Sequence, residues 1–259
     1  MDQDLIVTKI ENRIASVYLN RPEKRNALNY ELVGELKKTL KKLSTNQEVK
    51  IIILKGKGEA FCAGADLAYL KSLQTNTFEE NLADSTHLME LFELIYRLNK
   101  VVIAQVEGHA IAGGCGLATI CDVVFSVPEA RFGYTEVNIG FIPAIVSIFL
   151  IRKIGEAKAR ELLLSGRTIT ADEALKNGMV NFMVPADQIE ATVTEYSARL
   201  VKQTSGSSLS LTKELIAAVQ DLELDAALKK AAQMNANARA TDDCQKGIGA
   251  FLNKEKLNW

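Results

Sequence analysis

Val101-Val102-Ile103-Ala104-Gln105-Val106-Glu107-Gly108-His109-Ala110-Ile111-Ala112-Gly113-Gly114-Cys115-Gly116-Leu117-Ala118 decides how this chain folds. A near-continuous apolar run leads into a loop of glycine and alanine, and then into a helix start. Apolar runs without alternation mark strands covered on both faces. The same order stands upstream, where Val49–Leu54 leads to Phe61-Cys62-Ala63-Gly64-Ala65-Asp66. Small residues let a ligand approach the backbone closely. Helix N-termini carry free N–H groups and the positive end of a dipole. Two such termini side by side would aim two N–H donors at one oxygen. That is an oxyanion hole, where losing one donor typically costs ~10²–10³ in rate. Tight helix–sheet packing demands the same glycines, so spacing alone leaves both explanations open.

Outward from this stretch, Leu5–Ile10 and Ile14–Leu19 alternate apolar and polar around Glu11-Asn12-Arg13, which predicts a β-hairpin. Arg21–Leu28 reads as a polar loop. A helix follows Asn29 as N-cap, with Leu32, Val33, Leu36, Leu40 and Leu43 as its buried stripe. Lys37-Lys38 and Lys41-Lys42 fall on what reads as its solvated face. Asp66 is placed to cap a helix through Leu73, and Phe78–Leu98 has helical spacing. Asp122–Val127 reads as a third buried strand. Helices are expected over 144–154, 157–164 and 171–177, and a short strand over 180–184. From Asp187 onward the pattern is helical, broken near Thr204–Ser208. Strands alternating with helices and then a run of helices imply an α/β core, residues 1–186, with a helical C-terminal region, residues 187–259.

The 259 residues are enough for a sizeable core, and 47% hydrophobic with 24% charged is ordinary for a globular protein. Lys+Arg number 31 and Asp+Glu 32, a net charge of −1 that gives no general field for nucleic acid or acidic membranes. The start, Met1-Asp2-Gln3-Asp4, is acidic and no apolar stretch of spanning length follows, so neither a secretory signal nor a membrane span is expected. Cys62, Cys115, Cys121 and Cys244 form no C-x-x-C pair, which suits reduced thiols in a cytoplasmic protein. His87 and His109 are the only histidines, neither in H-E-x-x-H, so a metal site is not expected. G-x-S-x-G and the P-loop pattern are absent, and the glycines around Gly114 lack the third position of a dinucleotide fingerprint. His109 reads as a loop histidine making a backbone hydrogen bond, and His87 as a packing or surface residue.

Downstream, Arg131-Phe132-Gly133-Tyr134-Thr135-Glu136-Val137-Asn138-Ile139-Gly140-Phe141-Ile142-Pro143 places Glu136 among apolar and aromatic neighbours. Desolvation would raise the pKa of such a carboxyl, which suits a general acid/base. A surface glutamate or a structural ion-pair partner is the plain alternative.

Taken in order, Asn20–Leu28, Phe61–Leu67, Ala110–Ala118, Cys121-Asp122, Phe132–Pro143, Ala240–Asp243 and Phe251–Lys254 resemble the enoyl-CoA hydratase/isomerase (crotonase) superfamily over nearly the whole chain. The resemblance implies a spiral of ββα units, with a helical C-terminal region that builds trimers, commonly paired into hexamers. It implies an acyl-coenzyme A thioester as substrate and no separate cofactor. The backbone N–H groups of Ala65 and Gly113 would hold the thioester oxygen, and Glu136 would move the proton. Lys24, Arg25, Ala27, Ala63, Asp66 and Leu67 would line the CoA channel, with Phe251 and Lys254 reaching a neighbour's CoA. Gly114, Gly116, Gly140 and Pro143 would border the acyl group. One departure matters: two-glutamate hydratases of the family carry Glu where this chain has Gly116. The words around Gly113–Leu117 and Tyr134–Ala144 look most like the branch that hydrates methylglutaconyl-CoA. The expected activity is hydration of a 2-enoyl-CoA, with 3-methylglutaconyl-CoA as one such branched substrate. Δ3/Δ2-enoyl-CoA isomerisation is the alternative, and a non-catalytic CoA-binding or scaffold role the third.

Overall fold

A computed structural model describes residues 4–259. Of the acidic start, Met1–Gln3 lie outside the described residues. The expected hairpin forms from β1 (Ile6–Glu11) and β2 (Ile14–Leu19), antiparallel with Glu11 opposite Ile14. Its turn residues Asn12 and Arg13 both take positive φ (50° and 66°), the geometry that matches the twist of a two-residue hairpin. Then follow α1 (Tyr30–Thr45), β3 (Ile51–Gly56), β4 (Ala60–Cys62), α2 (Leu67–Leu73), α3 (Phe78–Arg97), β5 (Val101–Val106), β6 (His109–Ile111), α4 (Gly113–Thr119), β7 (Val123–Ser126) and β8 (Arg131–Gly133). The chain continues through α5 (Ala144–Ile154), α6 (Glu156–Ser165), β9 (Thr168–Thr170), α7 (Ala171–Asn177), β10 (Phe182–Met183), α8 (Ile189–Gln203), α9 (Gly206–Val219), α10 (Leu224–Arg239) and α11 (Asp242–Leu252).

The strands form two sheets. A six-stranded sheet has the order β1-β2-β3-β5-β7-β10, and a four-stranded one the order β4-β6-β8-β9. Successive pairs β3–β4, β5–β6 and β7–β8 each give one strand to the large sheet and the next to the small one before the chain enters a helix. That is the ββα spiral. The sequence places β3, β5 and β7 but treats β4 and β6 as loop and marks no strand at β8, because three-residue strands are too short to display a period-2 pattern. His109 therefore lies in a strand rather than a loop, and its side chain is exposed.

The caps behave as their side chains dictate. Asn29 accepts from Leu32 N at the start of α1, and Thr77 with Glu80 forms a capping box on α3. All five residues of the expected α1 stripe are buried. Lys37 departs from expectation: it turns inward, buried, and pairs with Glu90 on α3. Beyond residue 187, α8 packs on strands of the large sheet, while Ile216, Leu222, Leu224 and Leu228 remain exposed. No helix among the described residues is long and apolar enough to cross a membrane.

Candidate active site

Two loops are joined backbone to backbone. Ala63 N donates to Arg25 O (3.0 Å), Leu28 N to Gly64 O (2.6 Å) and Asp66 N to Leu28 O (2.8 Å). The segment 25–28 thus runs as a short parallel strand along 63–66, with Leu28 bridged to Ala65. This alternation turns the Ala65 amide away from Leu28. Asn26, fully buried at φ 54°, holds the outer loop by donating to Lys57 O and Ala60 O. Arg21 pairs with Asp66 at 2.9 Å and donates to Ala27 O at 2.7 Å. Asp66 also caps α2 through Ala68 N.

The second loop meets the first at Gly64, where φ is +94° and an added Cβ would lie 3.0 Å from the Ala112 Cβ and from Ile111 O. Only glycine fits that close approach in that conformation. Ala112 itself sits at φ 50°, ψ −127°, a sparsely populated region that turns the chain abruptly from β6 into α4. Among the described residues, neither the Ala65 N–H nor the Gly113 N–H has an acceptor. Both helices that follow are seven residues long, so the free amides rather than long dipoles supply the donors.

Both amides face a cavity of about 310 Å³ that also takes in Glu136. Glu136 opens a 3-10 turn, Glu136–Ile139, closed by Gly140 at φ 76°. Its Oε2 is buried with no hydrogen-bond partner, and burial pushes the carboxyl above its usual range. Two residues back, Tyr134 is fully buried, its hydroxyl 2.8 Å from Thr119 Oγ1, which ties the Glu136 segment to the end of α4. The cavity mouth is apolar: Leu67, Ile139, Phe141 and Ile142 line it and are exposed.

Of the expected site residues, Glu136, Ala65, Gly113, Ala63, Leu67 and Pro143 line this cavity, as do Tyr69, Leu70 and Phe141. Lys24 and Arg25 are exposed on the adjoining loop, Ala27 is buried within it, and Asp66 is buried on the segment it pairs with. Phe251 and Lys254 are exposed at the end of the helical region and do not line their own chain's cavity. Three of the expected glycines are not among the residues that line it. Gly114 packs against β4, where a Cβ would lie 2.2 Å from Cys62 O. Gly140 ends the 3-10 turn and has open space around it. Gly116 is sealed: a Cβ would meet Val146 Cγ1 at 2.2 Å and Phe92 Cε1 at 3.0 Å. The space beside it is filled by side chains from α5 and α3. His87, read from sequence as packing or surface, lines the cavity together with Tyr30, Asp84 and Ser85. Helical periodicity could not single these out, since it does not tell which turn of α3 faces a site.

The remaining chemistry is quiet. Burial pushes the thiols of Cys62, Cys115 and Cys121 up to about 12, so they are inert. Among the described residues no group of three or more His, Cys, Asp or Glu is placed to hold a metal ion.

Comparison with known proteins agrees with this fold. The enoyl-CoA hydratase/isomerase family model matches residues 9–259. A Thermus thermophilus relative named among the enoyl-CoA hydratases is 42% identical over 244 residues, covering 94% of this chain and 96% of the relative. The 2,3-dehydroadipyl-CoA hydratase of Escherichia coli is 33% identical over 255 residues, covering 97% and 96%. The crystal structure of an enoyl-CoA hydratase from Shewanella pealeana superposes with a TM-score of 0.93 at 27% identity, covering 98% of this chain and 96% of that one. With the two-sheet spiral and the paired free amides, these matches establish that the chain belongs to the enoyl-CoA hydratase/isomerase family.

Proposed function

We propose that the protein adds water across the double bond of a 2-enoyl-CoA, using Glu136 as its only carboxylate base. Glu136 takes a proton from water as the hydroxyl oxygen bonds to C3. The electron pair moves to the thioester oxygen, held by the Ala65 and Gly113 N–H groups. Glu136 then returns the proton to C2, and the product is the 3-hydroxyacyl-CoA. The observation that carries this function is one cavity that joins a carboxylate whose Oε2 is buried and unpartnered to two amides without acceptors. Preorganised donors stabilise a developing oxyanion, and a carboxyl with raised pKa exchanges protons near neutral pH. Lys24 and Arg25, exposed on the loop joined to the 63–66 segment, would bind the CoA phosphates, and Phe251 and Lys254 would serve a neighbouring copy in a trimer or dimer of trimers. The inert thiols suit a cytoplasmic enzyme.

Glu136→Gln tests the assignment. Loss of the conjugated thioester absorbance of crotonyl-CoA should cease, while CoA-thioester binding by calorimetry stays within about tenfold, or ~1.4 kcal/mol. A variant keeping a tenth of the activity would refute it. The sealing of Gly116 by Val146 favours a second reaction, Δ3/Δ2 isomerisation. There one glutamate removes a proton from C2 and delivers it to C4, and no water is needed. A 3-enoyl-CoA would then gain conjugated absorbance.

A further inference from the structure

The cavity wall built by α1 and α3 carries charge in one sense only. Here His87 stacks on Tyr30, ring centroids 3.9 Å apart and 12° from parallel. Its Nδ1 lies 3.1 Å from Lys37 Nζ and its Nε2 lies 3.0 Å from Tyr30 O. An ammonium has only donors and a carbonyl only accepts. Nδ1 therefore keeps its lone pair, and the ring hydrogen sits on Nε2, donated to Tyr30 O. Both ring nitrogens are engaged, so the imidazole offers the cavity a neutral face. Lys37 is engaged behind it, paired with Glu90 at 2.5 Å and donating to the His87 carbonyl at 3.4 Å.

Asp84 stands one turn before His87 on the same cavity wall. Among the described residues it has neither a hydrogen-bond nor an ion-pair partner through its carboxylate, and burial pushes its carboxyl above the usual range. Among the described residues no lysine or arginine lines the cavity. An acyl chain ending in a carboxylate would bring a further negative charge into a space already holding Asp84 and Glu136, with no cation to receive it. Burying a charge without a partner is costly, and a like charge nearby is a standard means of rejecting the wrong ligand.

We propose that Asp84 is a specificity-determining residue that turns the acyl pocket against chains ending in a carboxylate and selects uncharged acyl groups. This rests on the acyl-CoA function proposed above, and it disfavours 3-methylglutaconyl-CoA as the substrate.

The test uses two matched pairs. 2-Hexenoyl-CoA and 2,3-dehydroadipyl-CoA have equal carbon counts and differ at the terminal carbon; hexanoyl-CoA and adipyl-CoA are their saturated, non-reacting counterparts. The protein as it stands should favour the uncharged member by at least about tenfold, in kcat/KM for the first pair and in Kd by calorimetry for the second. Asp84→Asn should narrow both ratios by about tenfold, and Asp84→Ser, checked for folding by thermal unfolding, should do the same. Equal handling of both members, or ratios unmoved in the two neutral variants, would overturn the role of Asp84. If hexanoyl-CoA binds in preference to adipyl-CoA while no thioester is turned over, hydration fails and the selectivity of the pocket stands. Absence of any acyl-CoA binding overturns both.

Discussion

Gly116 and Val146 should behave as a single packing unit. An added Cβ at 116 would lie 2.2 Å from Val146 Cγ1 and 2.9 Å from Val146 Cβ, against a comfortable carbon–carbon separation of ~3.5–4.0 Å. Rotating the isopropyl group relieves the first contact but not the second, so α4 or α5 must shift. Overpacking of this kind costs ~1–3 kcal/mol, and Gly116→Ala belongs at the upper end. Val146, buried at 5% exposure, loses two methyl groups in Val146→Ala, which costs ~1.6 kcal/mol at ~0.8 kcal/mol per buried carbon. Independent effects would sum to ~4–5 kcal/mol in the double variant. Removing the two methyls relieves the 2.2 Å contact but leaves the 2.9 Å contact with the Cβ of residue 146, so the double variant should lose ~2–3 kcal/mol, a coupling of ~2 kcal/mol. Urea unfolding of the four proteins, at one fixed protein concentration, measures it. Additivity within ~0.5 kcal/mol would refute the sealing of Gly116. The same cycle bears on catalysis: Gly116→Glu alone should fold poorly, whereas in the Val146→Ala background, with the 2.2 Å contact gone, it should fold better and crotonyl-CoA hydration should hold or rise.

Two further outcomes are expected. Burial raises the Glu136 carboxyl in the folded protein, so kcat/KM should fall on the acid side with a midpoint above the ordinary glutamate value of about 4.3; a midpoint at or below that value would remove Glu136 as the base. By linkage, the native state binds that proton more tightly than the unfolded chain does. The charged form therefore costs stability above the folded pKa, and the cost vanishes below the unfolded one, so Glu136→Gln should raise the thermal midpoint at neutral pH but not near pH 4. The exposed Ile216, Leu222, Leu224 and Leu228, with Phe251 and Leu252 at 83% and 73% exposure, should be covered by other copies. Light scattering after sizing chromatography should give a trimer or hexamer, and a stable, active monomer would refute that.

From the amino-acid order alone came the β-hairpin, the three buried strands β3, β5 and β7, the capped helices α1, α2 and α7, and the helical run after Asp187. Each rests on interactions within about one turn or one strand: Asn29 on Leu32 N, Asp66 on Ala68 N, Thr170 on Glu173 N. Glu136 and the two small-residue loops are legible locally, as a carboxylate amid apolar residues and glycine-rich turns after buried strands; the choice of Ala65 and Gly113 within those loops, and all three roles, come with the family resemblance. Tertiary structure alone decided what surrounds them. Gly116 carries no local sign that Val146, 30 positions on, fills the space beside it. Lys37 looked like one more solvated lysine until α3 brought His87 and Glu90 against it. Asp84 looked like an ordinary helix acid until the spiral laid that turn of α3 beside the cavity. A chain's local propensities reveal caps and periodicity, but whether a group meets a partner, a cavity or a wall depends on contacts between segments far apart in sequence, and those exist only once the two sheets have closed on each other.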